Sequence, residues 1–266
     1  MSTVAPTVAR LDRGYVEVSG PDAEDLLERM LSNEIATLEV GLEARPALLL
    51  TPKGRIIAPL RVVREKPDAF LLLTDAAELA GPVAETLTRA RFASECEIKV
   101  LPWDGFVHLG TGPGPGAIPN HDFGVEAWET WGPRGVLHAP TPDAAELEPL
   151  RIKAGTPAWG KELDESVLPA EAGLDATHIS FTKGCYPGQE PVARLHHRGH
   201  ANRALRVLEV ETAEPGAEIV WNEKVIGRVT SAVPGRALGY VRTEVPDDAV
   251  LLVGGAEATL AAPTRP

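Results

Sequence analysis

Residues 183–190 read KGCYPGQE and contain one of the two cysteines in the chain. Two glycines in this stretch permit unusual backbone dihedrals, and residues 189–196 can form a helix that begins there. Cys185 is therefore predicted to lie in a loop just before a helix N-terminus, where backbone N–H groups stabilise a thiolate. Lys183 would add to that effect, so a reactive thiol is one interpretation of the stretch.

Two other interpretations of this cysteine stay open. Cysteine is often simply buried, and Cys185 also fits a small, half-buried residue in a turn. A thiol-redox or metal protein would combine Cys185 with the nearby histidines, but its resolving cysteine would have to be Cys96, in a different predicted unit. His196 and His200 have the i, i+4 spacing of metal ligands, yet Gly199 weakens a helix there, so no dedicated metal site is predicted.

A cluster of positive charge follows the cysteine. The chain has a net charge of −12, which argues against a general nucleic-acid coat, since such proteins neutralise phosphates with Lys and Arg. Between residues 183 and 203, however, Glu190 is the only acidic residue. This cationic cluster is either the contact for an anionic ligand or partner, or a solvated basic face. Its four basic residues are Lys183, Arg194, Arg198 and Arg203.

The segment before the cysteine, residues 151–174, reads RIKAGTPAWGKELDESVLPAEAGL. A carboxylate beside an aromatic ring can hold a flat, nitrogen-rich heterocycle, because the ring stacks while the carboxylate accepts paired N–H bonds. Trp159 and Glu171 are candidates for that arrangement. The same pattern fits an acidic surface loop with a core tryptophan at least as well.

Composition indicates an ordinary folded protein, with 44% hydrophobic and 24% charged residues. No run of 18 apolar residues occurs, so no membrane span is predicted, and no secretory signal is visible. With two cysteines in 266 residues, a disulfide framework is not expected, and the cytoplasm is the predicted location.

The element pattern predicts an α+β fold. Strands are expected at 47–50, 56–63, 69–73 and 96–101, with a helix over 75–90 before the last of them. This β-β-β-α-β order predicts one sheet with a helix on one face. A Thr-Pro-Asp triplet at 141–143 predicts a helix start, and short strands separated by turns after residue 204 predict a small closed β-domain.

These residues resemble the YgfZ/GcvT-like folate-binding family, relatives of the glycine-cleavage T-protein, which is an aminomethyltransferase. Residues 183–190 match in full the YgfZ-branch signature Lys-Gly-Cys-Tyr-x-Gly-Gln-Glu, which has one free position. Three further segments resemble the family in the expected order, so that the resemblance covers most of the chain. They are LSNEIATLEVG at 31–41, TPKGRII at 51–57 and VIGRVTSAVPGRALGYVR at 225–242.

The resemblance implies a ring of three domains around a central channel for tetrahydrofolate. A discontinuous folate-binding domain would take residues 1–45 and 106–200, a ferredoxin-like insert 46–105, and a C-terminal β-barrel 201–266. Trp159 and Glu171 stand where the T-protein branch places an aromatic residue and a glutamate against the pterin. The folate-binding set that the resemblance implies is Trp159, Glu171, Lys183, Gly184, Tyr186, Gly188, Gln189, Glu190 and Arg194, with Cys185 as a functional thiol in the channel.

One departure from the T-protein pattern narrows the expected function. Where that branch carries an Asp-Asp pair on the second hairpin strand, this chain has Ala58 and Pro59, neither of which can exchange a proton. The resemblance therefore implies a tetrahydrofolate-binding accessory factor for assembly or repair of iron–sulfur proteins, with an indirect effect on tRNA modification. Its expected partners are folate and iron–sulfur proteins or their assembly machinery, without direct contact to nucleic acid or membrane. The alternative is a tetrahydrofolate-dependent aminomethyl- or methyltransferase.

Overall fold

The structure, a computed structural model, describes residues 7–41, 43–110, 112, 114, 116–136 and 146–264. These residues form two antiparallel sheets, a closed β-barrel and five α-helices. The strands are β1 (Thr7–Leu11), β2 (Gly14–Ser19), β3 (Ala44–Leu50), β4 (Ile56–Lys66), β5 (Ala69–Thr74), β6 (Glu97–Leu101), β7 (Trp103–Leu109), β8 (Ile118–Pro119), β9 (Ala127–Pro133), β10 (Arg203–Val210), β11 (Glu218–Trp221), β12 (Lys224–Val233), β13 (Gly235–Arg242), β14 (Val250–Val253) and β15 (Ala256–Ala261). The helices are α1 (Ala23–Met30), α2 (Ala80–Ala90), α3 (Glu148–Ala154), α4 (Asp175–His178) and α5 (Gln189–Arg198).

The first sheet has five strands in the order β3-β4-β5-β2-β6. Helices α1 and α2 bury their apolar sides against it, because each presents leucines or valines at helical spacing. The resulting core is the largest in the protein, and β5 is buried along its whole length. This sheet holds in place two residues of the site described below, Arg61 on β4 and Asp75 directly after β5.

The β-β-β-α-β order predicted from sequence is confirmed as β3, β4, β5, α2 and β6, but β2 joins the same sheet. β5 and β6 both run antiparallel to β2 and therefore parallel to each other. Parallel strands need a long crossover, here through α2, and the gap that this crossover leaves is filled by the earlier strand β2. The unit predicted at 46–105 thus shares its sheet with part of the segment 1–45, and the proposed division into three domains stays a prediction.

The second sheet has four strands in the order β1-β7-β9-β8. β1, near the start of the chain, pairs with β7, which follows the first sheet in sequence. The chain therefore passes from the second sheet into the first after β1 and returns to the second sheet at β7. A cavity lies between the two sheets.

The C-terminal strands close into a barrel in the order β10-β13-β12-β11-β14-β15, as the alternating short strands predicted. Close strand approach requires glycine at Gly227, where an added Cβ would lie 2.1 Å from the Tyr240 carbonyl oxygen. The barrel packs on α3 through Ile152, Val207 and Leu238. The Tyr240 hydroxyl also donates to the Glu162 carbonyl at 2.8 Å, so the barrel is fixed to the residues that follow α3.

The helix start predicted at 141–143 lies outside the described residues. Within the described ranges, no helix is both long and apolar enough to cross a bilayer.

Candidate functional site

The main cavity has a volume of about 440 Å³ and lies between the two sheets and the segment 156–178. A smaller cavity of about 140 Å³ shares four lining residues with it. We call these four residues the waist, since the two cavities meet there: Asp75, Asp122, Thr156 and Pro157. The remaining lining residues of the main cavity are Glu43, Ala44, Pro46, Leu60, Arg61, Pro119, His121, Leu174, Thr177 and His178.

An arginine–carboxylate cluster, formed by Arg13, Arg61, Asp75, Asp122 and Glu129, surrounds the waist. Glu129 is completely buried and accepts hydrogen bonds from Arg13 Nε at 3.0 Å and Arg61 Nη1 at 2.7 Å. Asp122 accepts from Arg13 Nη2 at 3.0 Å and also from Arg61. Buried charges of this kind are tolerated only when they are paired and hydrogen-bonded, so the cluster fixes the waist in one geometry.

The two aspartates of the cluster have opposite pKa shifts. Burial alone would raise the pKa of Asp122, but Arg61 and Arg13 lower it to about 2. Burial raises the pKa of Asp75, and the neighbouring Asp122 charge raises it further against the opposing effect of Arg13. Asp75 is therefore the carboxylate of the pair that takes up a proton first as the pH falls.

Sequence reasoning missed this cluster, although each member carries a weak local signal. Arg61 interrupts the apolar strand β4, Glu129 lies between two tryptophans on β9, and Asp75 follows directly after the fully buried β5. A charged residue within or beside a buried strand must find a partner. Which partners meet depends on the pairing of the two sheets, and no local pattern contains that information.

Lys183 of the motif loop (residues 183–190) caps the end of α1 rather than serving the thiol. Its ammonium Nζ donates to the backbone carbonyls of Glu28, Leu31 and Asn33 at 2.7–2.8 Å. The side chain is only 1% exposed and lies 3.2 Å from the Glu28 carboxylate. Desolvation lowers the pKa of Lys183 against the opposing charge of Glu28. Cations at helix C-termini satisfy carbonyls that lack an intrahelical partner, so the role seen for Lys183 is structural.

Gly188 seats the motif loop on the β3–β4 hairpin. It has φ = +84°, and an added Cβ would lie 2.5 Å from the Thr51 carbonyl oxygen. Facing it, Gly54 has φ = +73° and would place a Cβ 3.1 Å from Pro191. Both positions need a left-handed backbone and close approach, which glycine allows. The predicted hairpin and the predicted start of α5 are therefore packed against each other.

Tyr186 anchors the loop in an apolar core with Leu48, Ile56 and Val192. The side chain is 6% exposed, and its hydroxyl has no hydrogen-bond partner among the described residues. Burial raises the pKa of Tyr186 to about 12. The ring also lies 5.8 Å from the Lys183 ammonium, so these two motif residues support one another.

Cys185 is exposed, free of any disulfide, and not among the residues that line either cavity. Gly184 beside it is exposed, and Gln189 is half-buried at the start of α5. Glu190 and Arg194 form an exposed pair at 2.5 Å across one turn of that helix. The thiol is thus at the surface and is not part of the lining of the two cavities that share the waist.

The two residues predicted to hold a pterin, Glu171 and Trp159, make contacts with other parts of the protein. The Glu171 carboxylate accepts from Arg203 Nε at 3.0 Å and Nη2 at 3.2 Å, and from the Leu168 amide at 3.0 Å. Trp159 is half-buried between two apolar cores. Neither side chain is among the lining residues of the two cavities described above. Their assignment as pterin contacts stays a prediction, and the contacts seen join the 3-10 helix Pro169–Glu171 to the first strand of the barrel.

The cationic cluster predicted around residues 183–203 is largely neutralised. Lys183 is buried at α1, Arg194 pairs with Glu190, and Arg203 pairs with Glu171; the side chain of Arg198 lies outside the described part of the chain. Among the nearby histidines, His196 stacks on Phe181, with the two ring centroids 3.8 Å apart. An open anion site is therefore not evident at this position among the described side chains.

Comparison of the fold with solved structures shows which class of protein this is. The structure superimposes on the crystal structure of glycine cleavage system aminomethyltransferase T from Bartonella henselae with a TM-score of 0.81, covering 97% of this chain and 85% of that one at 20% identity. Residues 201–265 match the family model described as CAF17, C-terminal beta-barrel domain. The chain thus has the aminomethyltransferase-type fold, with a cavity between its two sheets.

Sequence relatives narrow the class to a family. An uncharacterized protein of Haemophilus influenzae is 31% identical, with 82% of this chain and 81% of the relative covered. An iron-sulfur cluster assembly factor IBA57 homolog of Mycosarcoma maydis is 30% identical over 73% of this chain, which spans 54% of that protein. The tRNA-modifying protein YgfZ of Edwardsiella ictaluri is 27% identical, with 75% of this chain and 70% of the relative covered. The chain belongs to the YgfZ/GcvT-like family, as its sequence resemblance predicted.

Proposed function

We propose that this protein binds tetrahydrofolate, or a one-carbon derivative of it, in the main cavity and acts as an accessory factor in assembly or repair of iron–sulfur proteins. On this proposal any effect on tRNA modification is indirect, through an iron–sulfur enzyme. The names of two relatives support the assignment, one as an iron-sulfur cluster assembly factor and one as a tRNA-modifying protein. The observation that carries the folate part is the main cavity with carboxylates at its waist.

The residues around this cavity fit a folate. A volume of about 440 Å³ lies within the usual range of roughly 300–1,000 Å³ for small-molecule sites. Carboxylates at the waist can accept the N–H groups of a pterin ring, while the His121 imidazole on the cavity wall can donate to an anionic glutamyl tail. Bound tetrahydrofolate would supply a carrier for one-carbon groups, and the chain's own residues would orient it and exclude water.

The alternative, aminomethyl transfer, is favoured by the fold but opposed by the hairpin strand. Ala58 is completely buried in the core of the first sheet, and Pro59 is buried beside it. Neither residue can donate or accept a proton, so no acid–base group stands at the two positions where the T-protein branch carries carboxylates. We therefore assign an accessory role rather than a transferase activity.

On this proposal Cys185 acts at the surface. Its exposure suits contact with a cluster, a cluster precursor or a one-carbon group presented by a partner protein better than contact with a ligand enclosed in the cavity. The proposed location remains the cytoplasm. Lys183 and Gly188 contribute by holding the loop on α1 and on the hairpin.

Isothermal titration calorimetry with tetrahydrofolate tests the binding step. Saturable heat with a single class of sites is expected for the wild-type protein, and the absence of saturable heat would remove the folate part of the proposal. A Cys185→Ala variant should bind as the wild type does, because the thiol lies outside the cavity lining.

The cellular role has a separate test. In a strain that lacks the gene, iron–sulfur enzyme activities should fall under oxidative stress and recover when the wild-type gene is returned. Cys185→Ala is expected to restore much less activity than wild type. Full rescue by this variant would exclude the thiol from the role, and normal enzyme activities in the deletion strain would contradict the role itself.

A further inference from the structure

The arginine–carboxylate cluster at the waist carries more negative than positive charge. Its two guanidinium groups, on Arg13 and Arg61, face three carboxylates. Arg151, which also lines the smaller cavity, is engaged by Glu148 at 2.6 Å and by Glu162 at 2.8 Å. One carboxylate in the cluster is therefore left without a guanidinium group of its own among the described residues.

The hydrogen bonds identify this carboxylate as Asp75. Glu129 accepts four hydrogen bonds, from Arg13 twice, Arg61 and Asn120. Asp122 accepts two from the arginines. Asp75 accepts one, from Arg13 Nη1 to Oδ1 at 2.7 Å, and its Oδ2 accepts none from any side chain or backbone group that the structure describes.

The position of Asp75 makes this open oxygen available to a ligand. Asp75 lines both cavities, and 24% of its side chain is exposed. It follows directly after β5, all of whose residues are buried, so its backbone is held by the sheet core. The charged neighbours of Asp75 are Arg13, Asp122 and Arg61, and a ligand in either cavity would supply the donor that its open oxygen lacks.

We propose that Asp75 binds the 2-amino-4-oxopyrimidine edge of the ligand in the main cavity, with its carboxylate accepting two adjacent N–H groups of that edge. The inference rests on the proposed folate function, because a pterin carries this edge. Two parallel N–H donors match the two oxygens of a carboxylate, and such charge-assisted pairs are among the stronger hydrogen bonds. Glu171 is less suited to this role, since Arg203 already occupies both of its oxygens.

Guanine carries the same pair of N–H donors as a pterin. The chemistry at Asp75 therefore admits two sources, a reduced folate or a guanine nucleoside. The size of the main cavity favours a folate, and the experiment distinguishes the two by separate titrations.

The test compares wild type with Asp75→Asn, which keeps the shape of the side chain but replaces one acceptor oxygen by a donor. Asp247→Asn is the matched control, since it removes one carboxylate that is 86% exposed. Each protein is titrated with tetrahydrofolate, 6-methyltetrahydropterin, p-aminobenzoylglutamate and guanosine, and thermal unfolding checks the fold. Asp75→Glu keeps the charge but moves the carboxylate by one methylene, and it provides the answer if Asp75→Asn does not fold.

We expect Asp75→Asn to weaken tetrahydrofolate and tetrahydropterin binding roughly ten- to hundredfold, with p-aminobenzoylglutamate unaffected and Asp247→Asn equal to wild type. Binding of tetrahydrofolate by folded Asp75→Asn within about twofold of wild type would overturn the inference and leave the folate function standing. If wild type binds no folate but binds guanosine through Asp75, the inference holds and the folate function fails. If wild type binds neither pterins nor guanosine, both fail.

Discussion

Lys183 in the motif loop and Arg13 in the arginine–carboxylate cluster are both buried cations, with side chains 1% and 5% exposed. Lys183 directs its ammonium at three backbone carbonyls near the end of α1. Arg13 directs its guanidinium at three carboxylates beside a cavity. All three N–H groups of Lys183 have acceptors within the protein. Arg13 shares its charge among three carboxylates, and one of them, Asp75, still has an oxygen without a donor among the described residues.

The comparison distinguishes residues that stabilise the fold from residues whose polar groups are open to a ligand. The motif loop is contiguous in sequence, and Lys183, Gly188 and Tyr186 hold it against α1, the hairpin and an apolar core, respectively. The cluster is assembled from five separate points of the chain and contains the unsatisfied acceptor that a ligand needs. The motif loop is therefore a junction between elements that carries an exposed thiol, and members of the cluster, not of the loop, line the two cavities.

The largest expected effect comes from Lys183→Met. Removing the ammonium leaves three carbonyls at the end of α1 and the Glu28 carboxylate without their shared partner, so we expect a loss of about 3–5 kcal/mol in the free energy of unfolding. Urea denaturation measures it, with Lys53→Met as control, because Lys53 is exposed in the hairpin. Equal stability of the two variants would refute the structural role of Lys183.

Gly188→Ala should cost about 2–3 kcal/mol of unfolding free energy, because φ = +84° is strained for alanine and the new Cβ would meet the Thr51 carbonyl. Gly184→Ala in the same loop should change stability by less than about 0.5 kcal/mol, since nothing lies within 4 Å of its added Cβ. Thermal or urea unfolding of both variants decides the matter. A similar loss for both would mean that the loop is not seated on the hairpin as described.

Binding of tetrahydrofolate should weaken as the pH falls, because the pKa of Asp75 is raised by burial and by Asp122, and protonation removes an acceptor from the pterin edge. The loss should begin above the usual aspartate range near ~3.9 and reach about tenfold when Asp75 is neutral. Calorimetry at a series of pH values measures this loss, and Asp75→Asn should not show it. A wild-type profile identical to that of Asp75→Asn would speak against the assignment.

Glu171→Gln has the smallest expected effect on binding. The variant loses a charged pair with Arg203, whose side chain is 42% exposed, so about 1 kcal/mol of unfolding free energy should be lost. The dissociation constant for tetrahydrofolate should change by less than twofold. A large loss of affinity, with stability preserved, would instead return the pterin to Trp159 and Glu171 and displace Asp75.

The sequence predicted most of the strands and helices, but it did not indicate the arginine–carboxylate cluster, and the site residues that it did indicate stay predictions. Alternation and helical spacing located β3, β4, β5, α2, β6 and the barrel strands, because those signals are local. The partners of Lys183 are 150–155 residues away, and Arg13 and Glu129 are 116 residues apart. Such contacts depend on how β2 enters the first sheet and how β1 pairs with β7. Neither pairing leaves a local pattern, so the cluster could not be predicted.

Hydrogen–deuterium exchange with and without saturating tetrahydrofolate tests most directly where the ligand binds. We expect amides around the waist, in residues 74–76, 120–123 and 156–158, to exchange more slowly in the presence of tetrahydrofolate. Amides of the motif loop, residues 183–190, should exchange at an unchanged rate. Protection of the motif loop without protection of the waist would contradict the separation of cavity and thiol on which this account depends.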